Sequence, residues 1–169
     1  TDMIGVSRPI VKHSFTVDKQ ENIAQIVKEA FHIATSGRQG PVVIDVPKDL
    51  TNPDELFDFN YPEKANIRSY NPPVKPENHQ VSRAVDAILN AERPVIYAGG
   101  GTISSNASDE LRELNELIDF PVTNTLMGLG VYPGTGKRFL GMLGMHGTYQ
   151  ANMAMHNADL IIAVGCLLY

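Results

Sequence analysis

The sequence contains very little cysteine. Cys166 is the only one in 169 residues, so no disulfide can form within the chain, and a reducing, cytoplasmic setting is expected. Long uncharged apolar runs are missing as well, which argues against a membrane-spanning helix. The opening residues, TDMIGVSRP, lack the basic and apolar layout of a signal peptide, and they lack an initiator methionine. The missing methionine suggests a piece of a longer protein.

The chain has fewer basic than acidic residues. Lys and Arg number 14 against 19 Asp and Glu, which gives a net charge of -5. The basic residues are also scattered along the chain, so nucleic acid is not expected as a partner. The hydrophobic share of 43% and the charged share of 20% are typical of folded globular proteins. We therefore expect a packed fold.

The first part of the chain predicts a helix followed by a strand. In DKQENIAQIVKEAFHIATSG, apolar residues recur at helical spacing from Ile23 to Phe31. Asp18 and Glu21 are placed as a capping box at its start, and Gly37 is the expected stop. GPVVIDVP then predicts a short strand that is buried on both faces, as in a parallel sheet.

A polar stretch rich in proline comes next. Residues 51–78 show no apolar period, which predicts an extended connection between a domain at 1–50 and another at 79–169. Its prolines are Pro53, Pro62, Pro72, Pro73 and Pro76.

Helices alternate with strands in the last part of the chain. ENHQVSRAVDAILNAE, SDELRELNELIDF and TYQANMAMHNA are predicted helices, and RPVIYAGGG, PVTNTL and DLIIAVG are predicted strands. Such alternation predicts an α/β fold with a doubly wound, Rossmann-like parallel sheet and right-handed crossovers.

Glycine-rich turns follow the predicted strands, where open α/β sheets bind ligands. The turn AGGGTIS lacks the full dinucleotide fingerprint because Ser104 takes the place of the third glycine. Taken singly, the glycines are best explained as tight turns. His146 has no partner at metal-ligand spacing, so no zinc site is expected. No nucleophile elbow and no catalytic acidic pair is present. The residues alone indicate part of an α/β protein that offers glycine loops to an anionic or nucleotide-like ligand.

Several motifs taken together are more specific. SRPIVKHSF, ATSGRQGPVVIDVPKDLT, PVIYAGGG, TLMGLGVYPG and LGMLGMHGTYQANMAMHNADLIIAVG, in this order and spacing, resemble the large catalytic subunits of acetolactate synthase, a branch of the thiamine-diphosphate enzymes. The resemblance implies that 1–50 is the end of a pyrimidine-binding domain and that 79–169 is the first part of a central flavin-binding domain. It also implies that the chain stops inside a sheet, since Leu167, Leu168 and Tyr169 replace the family's Arg-Phe-Asp-Asp run.

The resemblance also implies a function for the whole protein. Two 2-oxo acids are joined with loss of CO2 in branched-chain amino-acid biosynthesis, with thiamine diphosphate, Mg2+ and FAD as cofactors. A homodimer or homotetramer with a regulatory small subunit is implied. The activating glutamate and the metal motif lie outside these residues, so the isolated chain is expected to contain no catalytic residue, to be inactive and to bind FAD weakly.

Site residues are carried over from the resemblance position by position. Lys48, Met145 and Lys12 match residues near the substrate cleft. The flavin contacts are expected at Arg38, Gly100, Gly101, Thr125, Leu126, Met127, His146, Gly147 and Gly165.

Two alternatives stay open. One is another thiamine-diphosphate carboligase or decarboxylase, such as a glyoxylate carboligase or a pyruvate oxidase, although LGMHGT argues against both. The other is a non-catalytic nucleotide-binding or regulatory module, for which glycine turns would suffice.

Overall fold

The structure is a computed structural model that describes residues 1–54 and 56–167. It divides the chain into two compact units, Thr1–Pro76 and Glu77–Tyr169. Both units combine helices with parallel strands, which confirms the predicted α/β class. The domain limits proposed above, at 1–50, 51–78 and 79–169, stay a prediction. Of the three residues that replace the family's arginine run, Leu168 and Tyr169 lie outside the described residues.

The first unit is a pair of parallel strands covered by one long helix. Strand β1 (His13–Thr16) pairs with β2 (Val42–Asp45) so that Phe15 lies opposite Ile44. The buried side chains of the first unit include Val17, Ala24 and Ile33. The elements are α1 (Met3–Ser7), β1 (His13–Thr16), α2 (Ile23–Thr35) and β2 (Val42–Asp45).

Helix α2 stops as predicted but begins differently. Gly37, just beyond its end, has a φ of +56°, a conformation that glycine adopts without steric cost. The prediction of a capping box is wrong, because a 3-10 turn precedes the helix and no side chain caps the start of the helix. Asp18 instead accepts a 2.7 Å hydrogen bond from the Asn22 amide, which lowers the pKa of Asp18 below its usual value.

Part of the proline-rich segment packs against α2. The Tyr70 hydroxyl accepts a hydrogen bond from the Lys12 ammonium at 2.7 Å and donates one to the Ser36 carbonyl at 2.9 Å. The bond from Lys12 lowers the pKa of Tyr70. The Lys28 ammonium lies 5.0 Å from the centre of the Tyr61 ring, a cation–π contact. These contacts attach residues 61–70, which form neither helix nor strand, to the rest of the first unit.

The second unit contains a four-stranded, all-parallel sheet. Strand β3 (Pro94–Ala98) lies between β4 (Val122–Asn124) and β6 (Leu160–Val164), and β5 (Phe139–Met142) lies on the other side of β4, which gives the order β5-β4-β3-β6. Parallel neighbours require crossover connections. Two helices lie between β3 and β4, whereas the connection from β4 to β5 contains only the 3-10 turn Leu126–Gly128 and loop residues. Among the described residues, no helix of either unit combines the length and apolarity needed to cross a membrane. The elements are α3 (Asn78–Asn90), β3 (Pro94–Ala98), α4 (Gly100–Ser104), α5 (Ser108–Ile118), β4 (Val122–Asn124), β5 (Phe139–Met142), α6 (Tyr149–Asn157) and β6 (Leu160–Val164).

Helices cover both faces of this sheet. Ile96 and Val122 are fully buried against Leu111 of α5. Val95 points to the opposite face, since side chains alternate along a strand, and it lines the same cleft as Met153 of α6. The doubly wound arrangement predicted from the sequence is therefore confirmed.

Strand β5 was not predicted. Its pairing with β4 contains a bulge, because Val122 lies opposite Phe139 while the next residue, Thr123, lies opposite Gly141. Leu140 is the extra residue, and Gly141 takes a φ of +90°. Bulges bend a strand and redirect the chain that follows it. The bulge lies immediately before the loop LGMHG.

Candidate functional site

The candidate site is the edge of the second unit where all four strands end. Parallel strands bring their carboxyl ends to one edge of a sheet. Three backbone hydrogen bonds join these ends: the amide of Gly99 donates to the Val164 carbonyl at 2.8 Å, that of Gly101 to the Gly165 carbonyl at 2.9 Å, and that of Thr125 to the Ala98 carbonyl at 2.9 Å. The predicted glycine turns therefore meet at one place.

The glycines at this edge are needed for contacts between chain segments. A Cβ on Gly101 would lie 2.8 Å from the Gly165 carbonyl oxygen, and one on Gly100 would lie 2.9 Å from the carbonyl oxygen of Met127. Gly165 has a φ of +58°, and its Cβ would lie 2.3 Å from the amide nitrogen of Thr102. Close packing of β6 against α4 thus accounts for Gly101 and Gly165. Their predicted contacts with a flavin stay a prediction.

A short turn after β4 presents apolar side chains to solvent. The Thr125 hydroxyl oxygen accepts a hydrogen bond from the Gly128 amide at 3.0 Å and so caps the 3-10 turn Leu126–Gly128. Leu126 and Met127 are 68% and 76% exposed. Large apolar side chains exposed beside a sheet edge are typical of a surface that a ligand or partner covers.

The loop Leu143–Gly147 after β5 extends this edge. Met145 is 91% exposed, and His146 is also exposed. The Gly147 amide donates to the Gly144 carbonyl at 2.9 Å, which closes a tight turn. A Cβ on Gly147 would lie 2.1 Å from the Met142 carbonyl oxygen, so the turn requires glycine there. The structure therefore places Met145, His146 and Gly147 together at the carboxyl edge.

Asn124 is a polar residue of this edge that the sequence did not single out. It lies at the end of β4, is fully buried, and donates from Nδ2 to the Gly128 carbonyl at 2.9 Å. Its Oδ1 has no hydrogen-bond partner within the described chain. Nothing in a single sequence separates such a residue from a surface Asn.

Acid–base and metal chemistry are sparse at this edge. Burial raises the pKa of the Tyr97 hydroxyl above its ordinary value, and the neighbouring Cys166 thiol adds to the rise. Within the residues that the structure describes, no group of three or more His, Cys, Asp or Glu could hold a metal ion. The exposed side chains described above at this edge, Leu126, Met127 and Met145, are apolar.

The remaining predicted site residues belong to the first unit. Lys12 donates hydrogen bonds to the carbonyls of Ile33 and Ser36 at 2.5 and 2.6 Å, and to the Tyr70 hydroxyl. These three bonds use the three donors of an ammonium group, and two of them go to carbonyls at the end of α2, the favourable end for a cation.

Lys12 and Lys48 lie at opposite ends of the two-stranded sheet. Lys12 precedes β1, and its amide donates to the Pro41 carbonyl at 2.8 Å, whereas Lys48 follows β2 and opens a 3-10 turn. Arg38 is exposed just before β2. The structure does not bring these three side chains to one point, and their predicted roles at the flavin and the substrate stay predictions.

Comparison with known proteins finds a family model and several relatives that match this chain. Residues 81–169 match the family model described as thiamine pyrophosphate enzyme, central domain. Over 164 residues, the chain is 57% identical to an acetolactate synthase large subunit of Buchnera aphidicola subsp. Acyrthosiphon pisum and 51% identical to the acetolactate synthase isozyme 3 large subunit of Escherichia coli. Each alignment covers 97% of this chain and 29% of the relative, so the chain spans less than a third of the length of these proteins.

One solved structure shows the same fold. It is an X-ray structure of a putative thiamin diphosphate-dependent enzyme from Mycobacterium smegmatis, with a TM-score of 0.76 and 23% identity. The match covers 98% of this chain and 31% of that one. At this identity the likeness establishes the fold alone.

Proposed function

Because the chain belongs to the thiamine pyrophosphate enzyme family, whose central domain matches residues 81–169, we propose that it forms part of the large subunit of an acetolactate synthase. The observation that carries this proposal is the identity of 57% and 51% to two such subunits over 164 residues. The matched region includes both compact units, since it covers 97% of the chain.

The proposed reaction of the whole protein joins two 2-oxo acids with loss of CO2. Thiamine diphosphate supplies the carbon nucleophile in this chemistry, while the protein supplies orientation and electrostatics. Among the described residues, no group of three or more His, Cys, Asp or Glu could hold a metal ion. As the resemblance implies, we assign the binding of thiamine diphosphate and Mg2+ mainly to parts of the protein outside this chain.

A flavin fits the second unit better. Leu126, Met127 and Met145 expose apolar surface at the carboxyl edge, and flat aromatic rings are favourably buried against such surface. Backbone groups at this edge are already paired with each other through Gly99, Gly101 and Thr125. The role proposed for Leu126 and Met127 is to hold and orient FAD, with Gly165 and Arg38 as further contacts, whereas Met145 is proposed to lie near the substrate.

The partners of the whole protein follow from the same premise. We propose 2-oxo acid substrates, a homodimer or homotetramer, a regulatory small subunit and a cytoplasmic location. The names of the relatives as large subunits support a second, smaller subunit. The single cysteine supports a reducing compartment.

The test is an assay of the full-length gene product that encloses this chain. With thiamine diphosphate, Mg2+ and FAD, the purified protein is expected to convert pyruvate to acetolactate and to depend on thiamine diphosphate. The isolated chain is the matched control and is expected to form no acetolactate. Absence of acetolactate from the full-length protein would refute the proposal, and a product formed from glyoxylate instead would favour another carboligase.

Flavin binding separates the synthase proposal from the binding module. A chain with part of a site gains little to offset the cost of ordering its ligand, so the isolated chain is expected to be colourless after purification. A stoichiometric flavin spectrum from the isolated chain, together with an inactive full-length product, would favour the module.

A further inference from the structure

One side chain attaches the loop Leu143–Gly147 to the helix that follows it. The amide of Gly144 donates to Oδ1 of Asn152 at 3.2 Å, and Nδ2 of Asn152 donates back to the Gly144 carbonyl at 3.0 Å. The same Nδ2 donates to the Thr148 carbonyl at 2.9 Å. A single amide side chain thus pairs with both backbone groups of Gly144, as a neighbouring strand would in a sheet.

Two backbone hydrogen bonds also act on the loop, from the Gly147 amide to the Gly144 carbonyl and from the Leu143 amide to the Asn124 carbonyl, but side-chain packing adds nothing at Gly144. Gly144 has a φ of +114°, and a Cβ placed there would have no atom within 4 Å, so packing does not hold this residue. Met145 is almost fully exposed, and its position therefore depends on the backbone that carries it. Asn152 is half-buried in α6, one turn after Thr148, whose hydroxyl oxygen accepts from the Ala151 amide at 3.1 Å and caps the helix. The fixed helix start gives Asn152 a defined place from which to hold the loop.

We propose that Asn152 is a positioning residue of the site: its amide holds the loop Leu143–Gly147 in the shape that presents Met145 and His146 to the flavin and the substrate. This inference rests on the function proposed above. The amide is suited to the task because it has both donors and an acceptor, and Gly144 offers one acceptor and one donor. Replacing Asn152 by alanine would remove all of these hydrogen bonds, because a methyl group neither donates nor accepts. A carboxylate has no donor, and repulsion from the Gly144 and Thr148 carbonyl oxygens would push it away from the position in which it can accept from the Gly144 amide.

Amide hydrogen exchange on the chain itself tests the geometry. Asn152→Ala and Asn152→Asp are both expected to speed the exchange of the Gly144 amide, because opening of the loop is a local event. Asn157→Ala is the matched control, since Asn157 lies in the same helix and donates only to the Met153 carbonyl within that helix. The control is expected to leave the Gly144 amide unchanged, and an unchanged amide in both Asn152 variants would overturn the proposal.

Flavin activation of the full-length product tests the role. For Asn152→Ala and Asn152→Asp, the FAD concentration that gives half activity is expected to rise about tenfold, the equivalent of one or two lost hydrogen bonds. At saturating FAD, kcat is expected to return to the wild-type value while KM for pyruvate stays raised. Loss of packing alone would spare the Asp variant, which has nearly the same volume as Asn. Circular dichroism spectra that match the wild type would show that both variants are folded.

The exchange and activation measurements distinguish a failure of the positioning role from a failure of the proposed function. Faster Gly144 exchange with unchanged FAD and pyruvate constants would overturn the positioning role. A wild-type protein that needs no FAD and forms no acetolactate would refute the proposed function, and the inferred role would fail with it, whatever the exchange data show for the loop.

Discussion

Replacing Gly165 by alanine tests the explanation given for the glycines at the carboxyl edge. Gly165 combines a φ of +58° with a Cβ position 2.3 Å from the Thr102 amide nitrogen and 2.6 Å from its hydroxyl oxygen. The left-handed conformation costs an L-residue roughly 1–2 kcal/mol. The overlap forces backbone shifts at β6 and α4, which typically adds about 1–3 kcal/mol. We therefore expect Gly165→Ala to lower the free energy of unfolding by roughly 2–5 kcal/mol, a large part of the stability of an ordinary domain.

Gly130→Ala is the matched control for backbone strain without a clash. Gly130 also has a positive φ, of +97°, but a Cβ there would have no atom within 4 Å. Its substitution is expected to cost only the conformational part, roughly 1–2 kcal/mol.

The assay for both variants is urea unfolding followed by circular dichroism, with the free energy taken from the midpoint and the slope. If the two compact units unfold in two transitions, Ile96→Ala identifies the transition of the second unit. Ile96 is fully buried in that unit, so its replacement lowers the urea midpoint of that transition. A Gly165→Ala chain as stable as Gly130→Ala would refute the packing explanation and leave ligand contact as the reason for the glycine.

Two further predictions concern charged groups. The Asp159 carboxylate accepts hydrogen bonds from the amides of Glu92 and Arg93 at 2.8 and 2.9 Å, which hold the pKa of Asp159 below its usual value. Its stabilising effect is therefore present above the pKa of the unfolded chain and is lost as the pH falls through the lower folded value. The urea midpoint of Asp159→Asn is expected to lie below that of the wild type at neutral pH and to approach it in acid, and a gap independent of pH would contradict this. Lys12→Met leaves the carbonyls at the end of α2 without their charged donor, so unfolding of the first unit is expected to become easier by about 1–3 kcal/mol. The exposed Lys75→Met is the control, and equal midpoints for the two lysine variants would show that the contacts of Lys12 contribute nothing.

Helices were the part of the fold that the sequence predicted best. Ile23–Thr35, Asn78–Asn90 and Ser108–Ile118 all have apolar residues at helical spacing, a signal that a single sequence contains in full. The strands β1 and β5 were missed. HSFT is too short to show alternation, and FLGM contains a glycine that interrupts its apolar run. Both stretches become strands because a parallel neighbour is present, and that neighbour is far away in sequence.

The candidate site was predicted in its location and missed in its details. Glycine turns after apolar strands are visible in the sequence. Because the carboxyl ends of parallel strands meet at one edge of a sheet, these turns predict where the site lies. The bonds of Asn152 to Gly144 depend on which way a helix faces, and a polar residue inside a helix gives no sign of a partner outside it. The same holds for Lys12, whose acceptors lie more than 20 residues away and are brought near only by the turn from α2 into β2.

The strand order has a consequence for how the second unit folds during synthesis. Strand β3 pairs with both β4 and β6, and Pro94 lies opposite Leu160, so one of its two neighbours leaves the ribosome long after the other. Until β6 emerges, β3 keeps one edge of free backbone groups beside apolar residues, a template for pairing with other chains. Pairings this distant in sequence form slowly. We therefore expect capture of β6 to set the folding rate of the unit, and the nascent chain to be most prone to aggregation in the interval before capture.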